Sequence, residues 1–145
     1  MKPFTFIAVA ILFIATSGCS QRNSKLIGMW RATGQDMGNP MSFGVSVVVE
    51  FRPDGTMTEV TSVLEGQKTT KTTKISSYDD TGAEYIQRIQ SHTVESEGIS
   101  KQDLMKANPK YYDNYFSIPY IQKSGTLTLE NVNGENIKFR RYREP

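Results

Sequence analysis

Few residues in this chain have the type and spacing for chemistry. It has 145 residues with one cysteine, one histidine and one tryptophan. Cys19 stands directly after Thr16, Ser17 and Gly18. A lone cysteine cannot form an internal disulfide framework or a thiolate metal cluster. His92 is the one candidate for a Ser-His or Cys-His pair. As a general base it needs an orienting carboxylate and a nucleophile within reach. In an extended strand Glu95 points away from it, so His92 reads as a strand residue. Asp79-Asp80 precede Thr81-Gly82 and read as a turn, since calcium wants six or more oxygens. No Gly-x-Ser-x-Gly elbow, phosphate-cradling glycine loop, His-Glu-x-x-His or Cys-x-x-Cys occurs. The expectation is a protein that is not an enzyme, with no cofactor and no metal. Lys plus Arg is 17 and Asp plus Glu 15, a net charge of +2. That balance gives no electrostatic case for a nucleic-acid partner.

The segment leading to Cys19 reads as an address. Lys2 is a positive start, Phe4 to Ala15 is almost unbroken apolar sequence, and small residues follow. This is the pattern of a secretory signal. The apolar run is too short to span a bilayer, which takes about 20 residues. With Cys19 after Ser17-Gly18, the segment resembles a bacterial lipoprotein signal. Thr16 departs from that pattern, which prefers an aliphatic residue there. The resemblance implies cleavage before Cys19 and acylation of Cys19 on its sulfur and new amino group, with chains such as palmitate. Two or three chains hold a protein to a membrane where one does not, at about 0.8 kcal/mol per buried CH₂. Ser20 after the cysteine implies, in a Gram-negative host, the periplasmic face of the outer membrane. On this reading residues 1–18 are the signal and 19–24 the lipidated cysteine and tether. The five polar residues after Cys19 reach about 15–18 Å when extended. Residues 25–145 form the domain, and the 127 residues from Cys19 carry +1.

From residue 25 the pattern is strand, turn, strand. Phe43, Val45, Val47, Val49 and Phe51 alternate with Gly44, Ser46, Val48, Glu50 and Arg52, the period of a half-buried strand. Pro53-Asp54-Gly55 and Glu65-Gly66-Gln67 are turn signals, and Asn133-Gly134 between two strands is a hairpin signal. Strands are expected at Lys25–Thr33, Phe43–Arg52, Thr56–Leu64, Lys68–Ser77, Ala83–Glu95, Tyr112–Gln122, Thr126–Asn131 and Asn136–Arg143. Ser100 and Asp103 form a capping-box variant, and Pro109 a stop, so a short helix is expected over 101–108. About eight strands joined by hairpins leave edges to manage. The fold class expected is all-β, an antiparallel up-and-down barrel with one short helix.

Three further motifs carry a resemblance. Gly28-Met29-Trp30 resembles the Gly-x-Trp opening of lipocalin-like domains. Phe51-Arg52-Pro53-Asp54-Gly55-Thr56 resembles a hairpin of their small secreted bacterial members. Gly125 to Leu129, Asn133-Gly134 and Lys138 to Arg141 are similar to their closing hairpin. The helix expected before the last strands departs from typical lipocalins, which carry theirs after the barrel. Bacterial META-type domains share similar strand-rich signatures. The resemblance implies that Trp30 packs at the barrel floor.

The candidate ligand residues are Trp30, Tyr112, Tyr115, Phe116 and Tyr120, aromatic side chains suited to a ligand mouth or to packing. Thr69 to Lys74 places polar atoms on both faces of its strand, with Ile75 its one aliphatic residue. Such a strand is either a lysine-guarded edge or the wall of a wet cavity, and the edge is the expectation. Two functions follow. One is a membrane-tethered carrier of a small apolar or amphipathic ligand, with a cavity of roughly 300 Å³ or more. The other is an envelope protein-interaction module, an assembly accessory or periplasmic inhibitor, with a filled barrel and a protein partner.

Overall fold

The computed structural model describes residues 23–37, 44–96, 99–103, 115–130 and 134–143. Nine strands are present among them: β1 (Gly28–Thr33), β2 (Val45–Phe51), β3 (Thr56–Glu65), β4 (Lys68–Asp80), β5 (Glu84–Ser96), β6 (Ile99–Asp103), β7 (Tyr115–Lys123), β8 (Thr126–Glu130) and β9 (Asn136–Tyr142). One 3-10 turn, Gly34–Met37, follows β1.

Every pairing is antiparallel. Following them from β1 through β2, β3, β4, β5, β7, β8 and β9 returns the path to β1, where Trp30 faces Arg141. Eight strands thus close an all-β barrel, an architecture compatible with a lipocalin-like fold. Closure removes the unpaired edges that an open sheet would expose. β6 stands outside the ring. It pairs with the far half of β5 through Thr93↔Asp103 and Val94↔Gln102. The near half of β5 pairs with β7 from Glu84↔Pro119 to Arg88↔Tyr115.

The short helix is corrected where it can be seen. Lys101, Gln102 and Asp103 belong to β6 and pair with β5. Local capping signals are worth about 1 kcal/mol and yield to a strand partner already in place. The remaining residues of that expected helix, 104–108, lie outside the described residues.

The edge reading of the Thr/Lys strand is also overturned. β4 is an interior strand, paired with β3 from Thr56↔Ser77 to Glu65↔Lys68 and with β5 from Thr70↔Ser96 to Asp80↔Tyr85. A bulge interrupts the second ladder. Ser76 faces Ile89 while Ile75 faces Ser91, so Gln90 is an extra residue on β5. One extra residue changes which side chains of a strand share a face. Beyond the bulge, His92 lies opposite Lys74, on the same face of the sheet.

The core fills one end of the barrel. Trp30, Phe51, Met57, Tyr78, Tyr85, Leu127 and Phe139 are buried there together with Leu26 from the segment before β1. Phe51 meets both Tyr78 and Tyr85 edge-on, with ring centroids 5.0 and 5.2 Å apart. Each such pair contributes about 0.5–1.5 kcal/mol beyond area burial.

Candidate functional site

The packed end closes around Trp30, which is 0% exposed. Its indole N–H donates to the Leu26 carbonyl at 2.6 Å. The Arg141 guanidinium lies over the Trp30 ring at 4.0 Å and donates to the Ile27 carbonyl. Gly28 makes that approach possible. Its φ is +118°, and a Cβ there would collide with the Arg141 guanidinium. The Gly-x-Trp spacing therefore has a local reason. The glycine clears the path by which an arginine from β9 caps the tryptophan of β1.

Asp80 ties three parts of this end together. Its carboxylate accepts from Ser24 Oγ at 2.6 Å, from the Tyr120 hydroxyl at 2.8 Å and from the Gly82 N–H at 2.8 Å. Burial, and then the Asp80 acceptor, push the Tyr120 hydroxyl well above the ordinary tyrosine range. Burial likewise pushes Tyr78 up to about 12, and its hydroxyl donates to the Arg52 carbonyl at 2.8 Å. Tyr85 is raised further by burial and by the nearby negative charge of Glu59.

Next to this packed end lies a cavity of about 620 Å³. An eight-stranded barrel is just wide enough to be filled by side chains or to hold one small ligand, and here side chains leave part of the interior unfilled. Val47 and Val49 from β2, Ile89 from β5, Phe116 and Ile118 from β7, Leu129 from β8, and Ile137 and Phe139 from β9 form an apolar wall. Glu59, Lys74 and Gln87 form a polar sector on the neighbouring strands β3, β4 and β5. Lys74 Nζ donates to Glu59 Oε1 at 2.8 Å, and the register sets the two residues side by side. Their side chains are 25% and 23% exposed. Gln87 Nε2 donates to Ser76 Oγ at 2.9 Å inside the barrel wall. No His, Cys, Asp or Glu cluster suited to a metal ion occurs among the described residues.

The aromatic candidates divide between these regions. Phe116 is on the cavity wall. Tyr115 is at its margin, 65% exposed, with the Arg88 guanidinium over its ring at 5.5 Å. Trp30 and Tyr120 belong to the packed end. Cys19 and Tyr112 lie outside the described residues. Glu59 and Gln87 are site residues that the sequence does not single out, whereas Lys74 belongs to the Thr69–Lys74 strand whose alternative reading is a wet cavity wall. Their signal was present as polar residues sharing a strand phase with buried ones: Glu59 with Met57, Lys74 with Ser76 and Tyr78, and Gln87 with Tyr85 and Ile89.

Fold and site together define an eight-stranded antiparallel barrel with one packed end and, beside it, a cavity of mixed polarity that opens to solvent. Comparison with models of known protein families and with curated proteins gives no match.

Proposed function

We propose that this chain is a lipid-anchored envelope protein that takes one small amphipathic ligand into its barrel and catalyses no reaction. The observation that carries the reading is the cavity. Its volume of about 620 Å³ falls within the range of roughly 300–1,000 Å³ typical of small-molecule sites. Its wall is mainly apolar with a few convergent polar groups, the usual composition of such sites. The interaction-module reading expects a filled barrel, so the cavity favours the carrier.

The anchor rests on the charged start, the apolar run and Ser17-Gly18-Cys19. Acylation at Cys19 would hold the barrel within a short tether of the membrane, where amphiphiles are at hand. The natural placement is the periplasmic face of an outer membrane.

Native mass spectrometry of the acylated protein purified from membranes tests both parts. The expected spectrum shows a chain beginning at Cys19 with two or three acyl groups, and a small molecule bound one to one. Val47→Phe places a ring in the cavity and should abolish the adduct while the barrel still folds. An unmodified Cys19 would refute the anchor. A chain with no adduct that also takes up no added dodecyl amphiphile would refute the carrier.

A further inference from the structure

We infer that the Glu59–Lys74 pair reads the ligand's headgroup, and that the headgroup is dipolar: a single-chain amphiphile with a zwitterionic head rather than a free carboxylate or a bare cation. The inference rests on the carrier reading and adds to it the chemical class of the ligand.

The argument begins from where the pair sits. Glu59 and Lys74 face the inside of the barrel on adjacent strands, 2.8 Å apart, and both line the cavity. Each keeps about a quarter of its side chain exposed. An ion pair withdrawn from bulk water is weak evidence for stability, because desolvation offsets the attraction. Apolar residues of similar size would hold the wall at least as well. A charged pair on a cavity wall is better understood through what enters the cavity.

Beyond this pair the charged lining residue is Glu130, exposed at the end of β8. Phe116, Ile118, Leu129 and Ile137 on β7 to β9, with Val47 and Val49 on β2 beside Glu59, offer a hydrocarbon chain an apolar surface. The polar sector on β3 and β4 therefore sets the orientation, with the tail on the apolar wall and the head at Glu59 and Lys74. The pair is neutral as a whole and presents both signs side by side. A head carrying one charge meets attraction from one partner and repulsion from the other at nearly equal distance, and the two Coulomb terms largely cancel. A head carrying both charges lies antiparallel to the pair and gains from both. Selection comes from the sum of the matched attraction and the repulsion built in against singly charged heads.

The test is competition native mass spectrometry on the full chain held in amphipol. Dodecylphosphocholine, dodecanoate and dodecyltrimethylammonium are supplied together at equal concentration. The tails are identical, so the bound ratio reports the head alone. The wild-type chain should favour dodecylphosphocholine by about tenfold or more over either competitor, a gap of about 1.4 kcal/mol. Glu59→Gln should turn the preference to dodecanoate, and Lys74→Gln should turn it to dodecyltrimethylammonium. The double variant should discriminate little among the three. A circular-dichroism melt of each variant confirms that the barrel is folded, and the wild-type ratio is a test that needs no variant. Uptake with a wild-type preference for dodecanoate or for dodecyltrimethylammonium, or with an order the two single variants leave unchanged, overturns the headgroup assignment and leaves the carrier reading standing. Uptake of none of the three by the wild-type chain overturns both.

Discussion

The buried hydrogen bond between Gln87 and Ser76 offers a measurement that probes the barrel wall directly. Ser76 is 0% exposed and Gln87 5%, and Gln87 Nε2 donates to Ser76 Oγ at 2.9 Å. Ser76→Ala removes the acceptor and leaves a buried amide donor unpaired. Such a loss costs about 1–3 kcal/mol. Gln87 also lines the cavity, where a water can replace part of the lost bond, so the lower part of that range applies. The expected destabilisation is about 1–2 kcal/mol, or a fall in melting temperature of roughly 3–8 °C for a chain of this size. Gln87→Met keeps the length and removes the amide. Combined with Ser76→Ala it leaves no orphaned amide, so the double variant should be more stable than the sum of the single losses predicts. The coupling in the double-mutant cycle should be about 0.5–2 kcal/mol. Urea denaturation followed by circular dichroism supplies all four stabilities. Additive losses, or a Ser76→Ala variant within about 0.3 kcal/mol of wild type, would refute the account of a buried pair whose partners depend on one another.

Other consequences are open to the same methods. Gly28→Ala combines a strained positive φ with a collision against Arg141 and should cost about 1–3 kcal/mol. Arg141→Ala should restore part of that loss in the double variant, as thermal melts would show. The raised Tyr78 hydroxyl makes the folded state hold its proton where the unfolded chain releases it. Its contribution is full below about pH 10 and declines as pH rises towards 12. Tyr78→Phe should flatten that part of an alkaline stability profile. Asp36 behaves in the opposite sense. The Thr33 N–H, which donates to its carboxylate at 2.9 Å, holds it below the usual aspartate value. Its contribution is present above about pH 4 and is lost as pH falls through the lowered value. Asp36→Asn should reduce the loss of stability on acidification.

Much of the barrel was legible along the chain. The alternation at Val45, Val47, Val49 and Phe51 marked β2, and Pro53-Asp54-Gly55 marked the turn that follows. The Asp54 carboxylate accepts from the Thr56 N–H at 2.9 Å, and Gly55 takes φ +82°. Local chemistry of this kind is complete within a few residues. The helix expected from Ser100 failed at Lys101 to Asp103 because its signals were equally local, while the pairing with Thr93 and Val94 was not. The candidate site was less legible. Phe116 was named and is on the cavity wall. Trp30 and Tyr120 were named for their aromatic rings, but the ring type does not tell whether it faces a cavity or a packed floor. Glu59 and Gln87 are not singled out because polar side chains on a strand ordinarily face water, and for the same reason the strand of Lys74 is expected as an edge rather than as the cavity wall it is.

By itself, then, the sequence determined the eight strands that form the ring, most of the turns between them and the address-like pattern ending at Cys19. Each depends on residue type over a short span: period-2 alternation, turn residues, and an apolar run with small residues after it. The tertiary structure decided that β9 returns to β1, that β4 is an inner wall rather than an edge, and which side of β4 faces the lumen. Alternation separates the two faces of a strand, but when both are polar it cannot say which is inside. That question is answered only when distant strands close around a common interior. The β3–β4 register then sets Glu59 beside Lys74, and the lumen acquires a wall with an ion pair in it.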